Sequence, residues 1–287
     1  MKRIIVCDSG LGGLNIAARF FTENPEAAPC ELLYFNAYPD IGKGYNDLPS
    51  DEAKREVFRN ALRGMEAFSP DGCFIACNTL SIVFEKFQPS DMPSFPVSGI
   101  ADAAVDSMYE ALAADETASL LILGTLTTVG SGLYAGRLRG KGVAPGRIRS
   151  LACPGLATAL EKGPLSSDCA ERIARYADEA RRLFDRPPET LLLGLCCTHF
   201  GFARELWERE FTRVFGGGVR IVDPNSRPPV LYAAKTFRYL SRTALPEESR
   251  ESMGRFFRDR ASAIAQGLRI AEPMPELFEF HAEKYNL

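Results

Sequence analysis

The feature that most constrains the fold of this chain is an alternation between short apolar runs and longer segments of helical period. The apolar runs are residues 3–7, 32–35, 73–77, 95–100, 120–124, 147–153, 191–196 and 219–223. Runs of this length, separated by helices, are typical of βα units and predict the strands of a mainly parallel sheet. The fold class is therefore predicted to be α/β, and 287 residues are enough for one large domain or two ordinary ones.

Two of the intervening segments have a clear helical period. In residues 50–68, Ser50 is a suitable N-cap that precedes two acidic residues. The apolar face of this predicted helix comprises Val57, Ala61, Met65 and Phe68. The segment around Ile173, Ala177, Ala180 and Phe184 follows the same pattern. Both segments are predicted to be amphipathic helices that cover a sheet.

The sequence also indicates an internal pair of units. Cys77 and Cys197 each end an apolar run, begin the tripeptides CNT and CTH, and lie 120 residues apart. Asp8 and Thr125 follow two other strand ends and lie 117 residues apart. Two similar α/β units would explain both offsets. The alternative is coincidence, since a strand followed by a polar turn is common in α/β proteins.

Polar side chains collect where the predicted strands end. They are Asp8, Ser9, Cys77, Asn78, Thr79, Thr125, Thr128, Cys197, Thr198 and His199. Taken one at a time, they fit ordinary roles as turn formers, helix caps or a small buried thiol. Ligands of open α/β sheets bind outside the carboxyl ends of the strands, so the collection as a whole favours a functional site.

A dinucleotide site and a metal site are the main rivals. The segment DSGLGGLN has Gly10 and Gly12, but the sixth position of a dinucleotide loop falls on Asn15 instead of glycine. Cys73 and Cys77 would stand roughly 13 Å apart along one strand, too far to clamp one zinc ion. We therefore expect neither a cofactor nor a metal.

Charge and hydropathy limit the partners. The net charge is −3, and acidic and basic residues are interspersed, so the sequence shows no basic face for nucleic acid or an anionic membrane. No apolar run approaches the length of a membrane span, and the N-terminus lacks the apolar region of a signal peptide. We expect a cytoplasmic protein with eight free thiols and a small-molecule substrate.

Five separated motifs together resemble those of glutamate racemases and the wider aspartate/glutamate racemase superfamily. They are DSGLGGL at 8–14, CNT at 77–79, GTLTT at 124–128, Cys153-Pro154 followed by Glu161, and CTH at 197–199. The resemblance implies a cofactor-independent amino-acid racemase that acts on glutamate or aspartate. It also implies two similar α/β domains related by a pseudo-twofold axis, with the active site in the cleft between them. The expected boundaries are 1–99 with 210–287 for the first domain and 100–209 for the second.

The resemblance also assigns roles to individual residues. Cys77 and Cys197 correspond to the two acid/base thiols, Asp8 and His199 to the groups that assist them, and Glu161 to a further assisting group. The substrate-binding positions are Ser9, Asn78, Thr79, Thr125, Thr128 and Thr198, together with the segment Gly42, Lys43 and Gly44. Removing a proton from one side of a carbon and returning one to the other side requires a base and an acid, which suits two thiols.

The sequence departs from the family pattern at residues 42–44, at Cys196 and in its C-terminal tail. Gly42-Lys43-Gly44 stands where the family has Pro-Tyr-Gly, with Tyr45 directly after it, and Cys196 stands where the family has glycine. Neighbouring strand residues face opposite ways, so one of Cys196 and Cys197 is predicted to be packing, and Cys197 holds the family position. The helical pattern at 252–270 is predicted either to pack on the first domain or to form a subunit contact, as in a homodimer.

The functional prediction has corresponding alternatives. A racemase of this type would supply D-glutamate for the peptidoglycan of a bacterial cell wall. A different superfamily reaction on a related carboxylic acid would use the same two thiols. A binding paralogue without catalytic activity is disfavoured, because both thiols and His199 are retained.

Overall fold

The computed structural model describes residues 1–228 and 230–287, which fold into two compact α/β units. The first comprises Met1–Ile100 with Pro229–Leu287, and the second Ala101–Pro228. The strands are β1 Lys2–Asp8, β2 Ala28–Asn36, β3 Gly72–Ile75, β4 Val97–Gly99, β5 Ser119–Gly124, β6 Ile148–Ala152, β7 Leu191–Cys196, β8 Val219–Val222 and β9 Tyr232–Ser241. The α-helices are α1 Leu14–Thr22, α2 Asp51–Glu66, α3 Asn78–Phe84, α4 Ala101–Ala113, α5 Leu126–Gly130, α6 Leu133–Gly140, α7 Leu156–Lys162, α8 Ser167–Arg181, α9 Arg204–Phe215, α10 Glu247–Phe257 and α11 Ser262–Arg269.

Each unit is built on one parallel sheet, which confirms the predicted α/β class. The strand order is β4-β3-β1-β2-β9 in the first sheet and β6-β5-β7-β8 in the second. All the strand pairs in both sheets are parallel. Helices cover both faces of such sheets, so their strands read as continuous apolar runs, and β7 is buried at every position.

The two sheets repeat one topology. Numbered within its own unit, the first four strands of each sheet have the spatial order 2-1-3-4. Asp8 ends β1 and Thr125 follows the equivalent strand β5, and Cys77 and Cys197 follow the equivalent strands β3 and β7. This confirms the internal pair that the two sequence offsets predict.

The amphipathic helices form for the local reasons that the sequence indicates. The Ser50 side chain accepts a hydrogen bond from the Ala53 backbone N–H at 3.1 Å and caps α2, whose Val57, Ala61 and Met65 are buried. Ser166 caps α8 in the same way through the Cys169 N–H. The remaining predicted members of the two apolar faces, Phe68 and Phe184, lie beyond the last helical residue but still pack against the two cores.

The second crossing between the units lies later than the predicted position near residue 210. Helix α9 packs on α8, and β8 pairs with β7 with Val219 opposite Leu191, so residues up to 228 belong to the second unit. The predicted boundary at residue 210 lies inside α9. The sequence pattern alone does not show that the apolar run 219–223 completes the second sheet as its edge strand.

The chain after residue 230 packs on the first unit. Strand β9, which the sequence does not predict, pairs with β2 at the edge of the first sheet, with a register shift between Cys30 and Glu31. The helical pattern at 252–270 is two helices, α10 and α11, because the helix ends at Phe257 and restarts at Ser262. The last segment adds Leu277, Phe278, Phe280 and Tyr285 to the first core. None of the helices in residues 1–228 and 230–287 is both long and apolar enough to cross a bilayer.

The tail yields a stability prediction. Phe278 is 4% exposed and its ring lies 6.1 Å from that of Phe35 on β2. We expect Phe278→Ala to lower the free energy of unfolding by about 3–5 kcal/mol, because it leaves a cavity in the first core. Ile270, in the same tail but 66% exposed, is the matched control, and Ile270→Ala should change stability by less than about 0.5 kcal/mol. Urea denaturation of both variants measures this, and equal small effects would contradict docking of the tail.

Candidate active site

In the first unit, β1 delivers Asp8 to the carboxyl edge of the sheet. Asp8 is fully buried, and the loop 9–13 turns from the strand into α1. A Cβ atom on Gly13 would lie 3.0 Å from the Asp8 carboxylate oxygen Oδ2 and 3.0 Å from the Ala76 Cβ. Glycine at this position therefore lets the start of α1 approach the Asp8 side chain closely, and a larger residue would displace it.

Cys77 lies at the same edge, between the end of β3 and the start of α3. Its backbone is extended, and its Sγ atom accepts a hydrogen bond from the Leu80 backbone N–H at 3.5 Å, so the thiol caps α3. The Ser9 Oγ atom lies 3.1 Å from the same sulphur. Two donors are thus available to Cys77 Sγ, an arrangement that favours negative charge on the sulphur. Asn78 and Thr79, the next two predicted site residues, are buried in the first turn of α3.

The predicted segment Gly42-Lys43-Gly44 is a turn after β2. The Lys43 backbone N–H donates to the Asp40 carbonyl at 3.0 Å, and Gly42 has φ +72°, a left-handed conformation suited to glycine. The Gly44 N–H donates to Asp47 Oδ2 at 2.7 Å. The residue that follows, Tyr45, is buried in the core cluster that also contains Cys77.

In the second unit, β5 is followed by Thr125 at the equivalent edge. The Thr125 side chain accepts from the Thr128 N–H at 3.2 Å and caps α5, and the two hydroxyl oxygens lie 3.0 Å apart. A Cβ atom on Gly124 would meet the Thr128 Cγ2 atom at 2.8 Å. Glycine before Thr125 is therefore what allows α5 to fold back onto the strand end.

Cys197, His199 and Glu161 form a hydrogen-bonded chain at the end of β7. The Cys197 Sγ atom lies 3.7 Å from His199 Nδ1, and His199 Nε2 lies 2.7 Å from Glu161 Oε1, which α7 supplies. Thr198, between the thiol and the imidazole, is buried. Of the six predicted residues of the second unit, Thr125 and Thr128 therefore lie after β5, Cys197, Thr198 and His199 lie after the neighbouring strand β7, and Glu161 contacts His199.

The environment of His199 favours its charged form. Burial lowers the pKa of His199, but its hydrogen bonds with Cys197 and Glu161, together with their negative charge, outweigh burial and raise the pKa well above 6.5. A protonated His199 next to Cys197 Sγ would stabilise a thiolate there. Glu161 fixes the orientation of the ring, because it occupies the nitrogen that faces away from the sulphur.

Burial holds five of the eight thiols in their neutral form. All eight cysteines are free and buried. Burial is the largest cause of a raised pKa for the thiols of Cys7, Cys30, Cys153, Cys169 and Cys196. These five are held as thiols at neutral pH, so they are poor candidates for a base.

The neighbouring cysteines at the end of β7 have different surroundings. The Cys196 Sγ atom lies 3.8 Å from the Met108 sulphur of α4, inside the apolar interior. Cys197 instead directs its sulphur to His199. Within residues 1–228 and 230–287, no group of three or more His, Cys, Asp and Glu side chains has a geometry that could hold a metal ion.

Comparison with known proteins identifies a family profile and related sequences that match this chain. A sequence profile of the family described as Asp/Glu/Hydantoin racemase matches residues 23–226. Glutamate racemase 3 of Caldanaerobacter subterraneus is 27% identical over 224 residues, which cover 77% of this chain and 74% of that protein.

Solved structures share the fold. A glutamate racemase isoform from Bacillus anthracis superposes with a TM-score of 0.70 at 19% identity, covering 89% of this chain and 94% of its own. The glutamate racemase of Francisella tularensis, solved in complex with D-glutamate, gives a TM-score of 0.64 at 18% identity, covering 90% of this chain and 94% of its own.

The contact between His199 and Glu161 yields a pH prediction. Because folding raises the pKa of His199, the stability from this pair is fully present below the unfolded pKa of about 6.5 and is lost as pH rises through the folded value. We expect Glu161→Gln to lower the His199 pKa and to reduce the free energy of unfolding by roughly 2 kcal/mol near pH 6, with a smaller difference at alkaline pH.

Proton NMR titration measures the pKa directly, since the chain has only two histidines. The exposed His281 is the internal reference, because Glu161→Gln should not alter its titration. Denaturation at several pH values measures the stability. An unchanged His199 titration in Glu161→Gln would show that the carboxylate does not control the imidazole.

Proposed function

Since the chain belongs to the Asp/Glu/Hydantoin racemase family, we propose that it interconverts L- and D-glutamate without a cofactor, by proton transfer between the substrate and two thiols. The observation that carries the proposal is the hydrogen-bonded chain from Cys197 through His199 to Glu161. Cys197, which holds the family's cysteine position, has the His199 imidazolium as its neighbour, and Glu161 fixes the orientation of that ring. A thiol that acts as a base is activated by such a neighbour.

Inversion at the α-carbon needs two groups of opposite protonation. A thiolate removes the α-proton from one side, and the electron pair of the C–H bond passes into the carbanion and its adjacent carboxylate. A thiol then donates its proton to the other side, which forms the new C–H bond and leaves a thiolate. The reverse reaction exchanges the roles, so each thiol must be able to exist in both states. The mechanism therefore requires Cys77 and Cys197 to reach the same α-carbon.

The two thiols are supported by different means. His199, as a cation, stabilises the thiolate of Cys197, while Glu161 holds the imidazole. Cys77 has the Ser9 hydroxyl and the Leu80 N–H as hydrogen-bond donors to its sulphur. Asp8, buried at the end of the adjacent strand, is the assisting carboxylate on this side.

Polar groups at the two strand edges suit a small zwitterion with a carboxylate side chain. Ser9, Asn78, Thr79, Thr125, Thr128 and Thr198 offer hydroxyl and amide groups, and the turn Gly42-Lys43-Gly44 adds the Lys43 cation. Glutamate is preferred over aspartate because the related proteins are named glutamate racemases, one of them solved with D-glutamate. We further propose that the product serves peptidoglycan synthesis in a bacterial cytoplasm.

Proton exchange tests the function. We expect the purified protein, incubated in D2O with L-glutamate, to incorporate deuterium at the α-carbon and to form D-glutamate, with mass spectrometry and chiral chromatography as the readouts. The rate should be unchanged by a chelator and should need no pyridoxal phosphate. Aspartate and neutral amino acids run in parallel define the substrate. Exchange with none of them would favour a binding protein, and restoration by zinc of activity lost to the chelator would overturn the cofactor-independent mechanism.

Three alanine variants test the choice of thiols. We expect Cys77→Ala and Cys197→Ala each to abolish racemisation, because an inversion that lacks its acid or base on one side cannot be completed. Cys196→Ala is the matched control and should retain most of the activity, since its thiol packs against Met108 and away from His199. Circular dichroism checks that each variant is folded. A folded but inactive Cys196→Ala beside an active Cys197→Ala would reverse the assignment.

A further inference from the structure

Arg242 lies at the carboxyl edge of the first sheet, directly after β9. Strand β9 runs parallel to β2, and the two strands end side by side. The Arg242 Nη1 atom donates to the Pro39 carbonyl at 2.9 Å. Its Nε and Nη2 atoms donate to the carbonyls of Phe278 and Phe280, both at 3.2 Å. One guanidinium group therefore joins the loop that follows β2 to the C-terminal tail.

This set of contacts suits arginine and no other side chain. Each of three nitrogen atoms donates to a different carbonyl, and the planar guanidinium group holds these donors in a fixed arrangement, whereas a lysine ammonium group donates from a single atom. The Arg242 Cζ atom also lies 5.6 Å from the centroid of the Phe280 ring, within the range of a cation–π contact. The half-buried guanidinium is thus held in one orientation.

The carbonyl that Arg242 binds stands directly before the turn that carries Lys43. Proline has no backbone N–H, so the carbonyl is the only backbone group of Pro39 that can form a hydrogen bond. The next carbonyl, that of Asp40, accepts from the Lys43 N–H at 3.0 Å, and these two residues form an isolated β-bridge. The position of Lys43 therefore depends on where the backbone at Pro39 and Asp40 is held.

The end of β9 contacts the start of the same loop. The Asn36 side-chain amide donates to the Tyr239 hydroxyl at 2.8 Å, and the Asn36 Oδ1 atom accepts from the Tyr38 N–H at 3.1 Å. Arg242 adds a second contact from the same strand end, at Pro39. Strand β9 thus supports the loop both where it leaves β2 and where it enters the turn.

We propose that Arg242 is a positioning residue for substrate binding, which holds the turn so that Lys43 is presented at the carboxyl edge of the first sheet. The inference rests on the proposed function, in which Lys43 contacts the substrate. Arg242 acts through the backbone of Pro39. The tail is its support, because Phe278 and Phe280 are buried in the first core and their carbonyls are therefore fixed acceptors.

Arg147 provides a matched control in the second unit. It is also half-buried, and it donates to three backbone carbonyls, those of Leu112 at 3.0 Å, Asp115 at 2.6 Å and Ala118 at 2.8 Å. Arg147 directly precedes β6, so it lies at the amino edge of the second sheet, opposite the edge that holds Cys197. Arg147→Ala therefore removes a comparable set of hydrogen bonds away from the candidate site.

Hydrogen exchange of the full chain without substrate, followed by mass spectrometry, tests the turn directly. We expect Arg242→Ala to raise the exchange rate of the peptide that contains the Lys43 and Gly44 N–H groups about tenfold, because the turn opens more easily. Arg147→Ala should lower Tm by a similar amount and leave the exchange of this peptide unchanged. Arg242→Lys and Arg147→Lys repeat the comparison if an alanine variant does not fold.

Steady-state kinetics test the link to the substrate. We expect Arg242→Ala to raise KM for glutamate about tenfold and to change kcat by less than about twofold, because it weakens a binding contact in the ground and transition states alike. Arg147→Ala should leave KM unchanged. In a Lys43→Ala background, Arg242→Ala should raise KM little further, because both substitutions act on the same contact.

The outcomes separate this inference from the proposed function. Unchanged exchange of the turn in Arg242→Ala overturns the inference, whether or not the wild-type protein racemises glutamate. Faster exchange with an unchanged KM also overturns it, because Arg242 then has a role in stability alone. Fully additive effects of Arg242→Ala and Lys43→Ala on KM have the same consequence. Faster exchange in a protein that exchanges no α-proton keeps Arg242 as the anchor of the turn and overturns the racemase proposal instead.

Discussion

The burial of both faces of two parallel sheets governs the rest of this structure. A strand covered by helices on both faces has no solvated side, so polar groups are restricted to its ends. In each unit the polar groups that follow neighbouring strands therefore collect at one edge, where Asp8 and Cys77 lie in one unit and Thr125 and Cys197 in the other. The thiols, hydroxyls and imidazole of the candidate site lie at the strand ends for this reason, and most of them are buried there.

The same burial affects the protonation of the thiols. A thiol deep in a core is held in its neutral form, as the raised pKa values of Cys7, Cys153 and Cys196 indicate. A thiol at a strand end can meet hydrogen-bond donors or a charged neighbour, as Cys77 does with Ser9 and Cys197 with His199. Cys196 and Cys197 are adjacent in sequence but have different surroundings, so the number of cysteines in a segment does not indicate what each thiol contacts.

Much of the fold and of the candidate site could be predicted from the sequence, because the elements concerned depend on local patterns. The eight apolar runs, the Ser50 cap and the equivalence of Cys77 and Cys197 rest on short periodicities and on order along the chain. Strand β9 could not be predicted in this way, because its burial alternates irregularly and its register shifts beside Cys30. The boundary after 228 and the docking of Phe278 depend on contacts between residues far apart in sequence, which local patterns do not show.

The duplicated topology makes the differences between the two edges informative. Equivalent strands present equivalent thiols, yet Cys197 is served by an imidazole and a carboxylate, and Cys77 by a hydroxyl and a backbone N–H. A cation stabilises a thiolate through charge, which weakens once His199 loses its proton, whereas neutral donors act at any pH at which they stay protonated. Under the proposed mechanism, the two thiolates are therefore stabilised by different means.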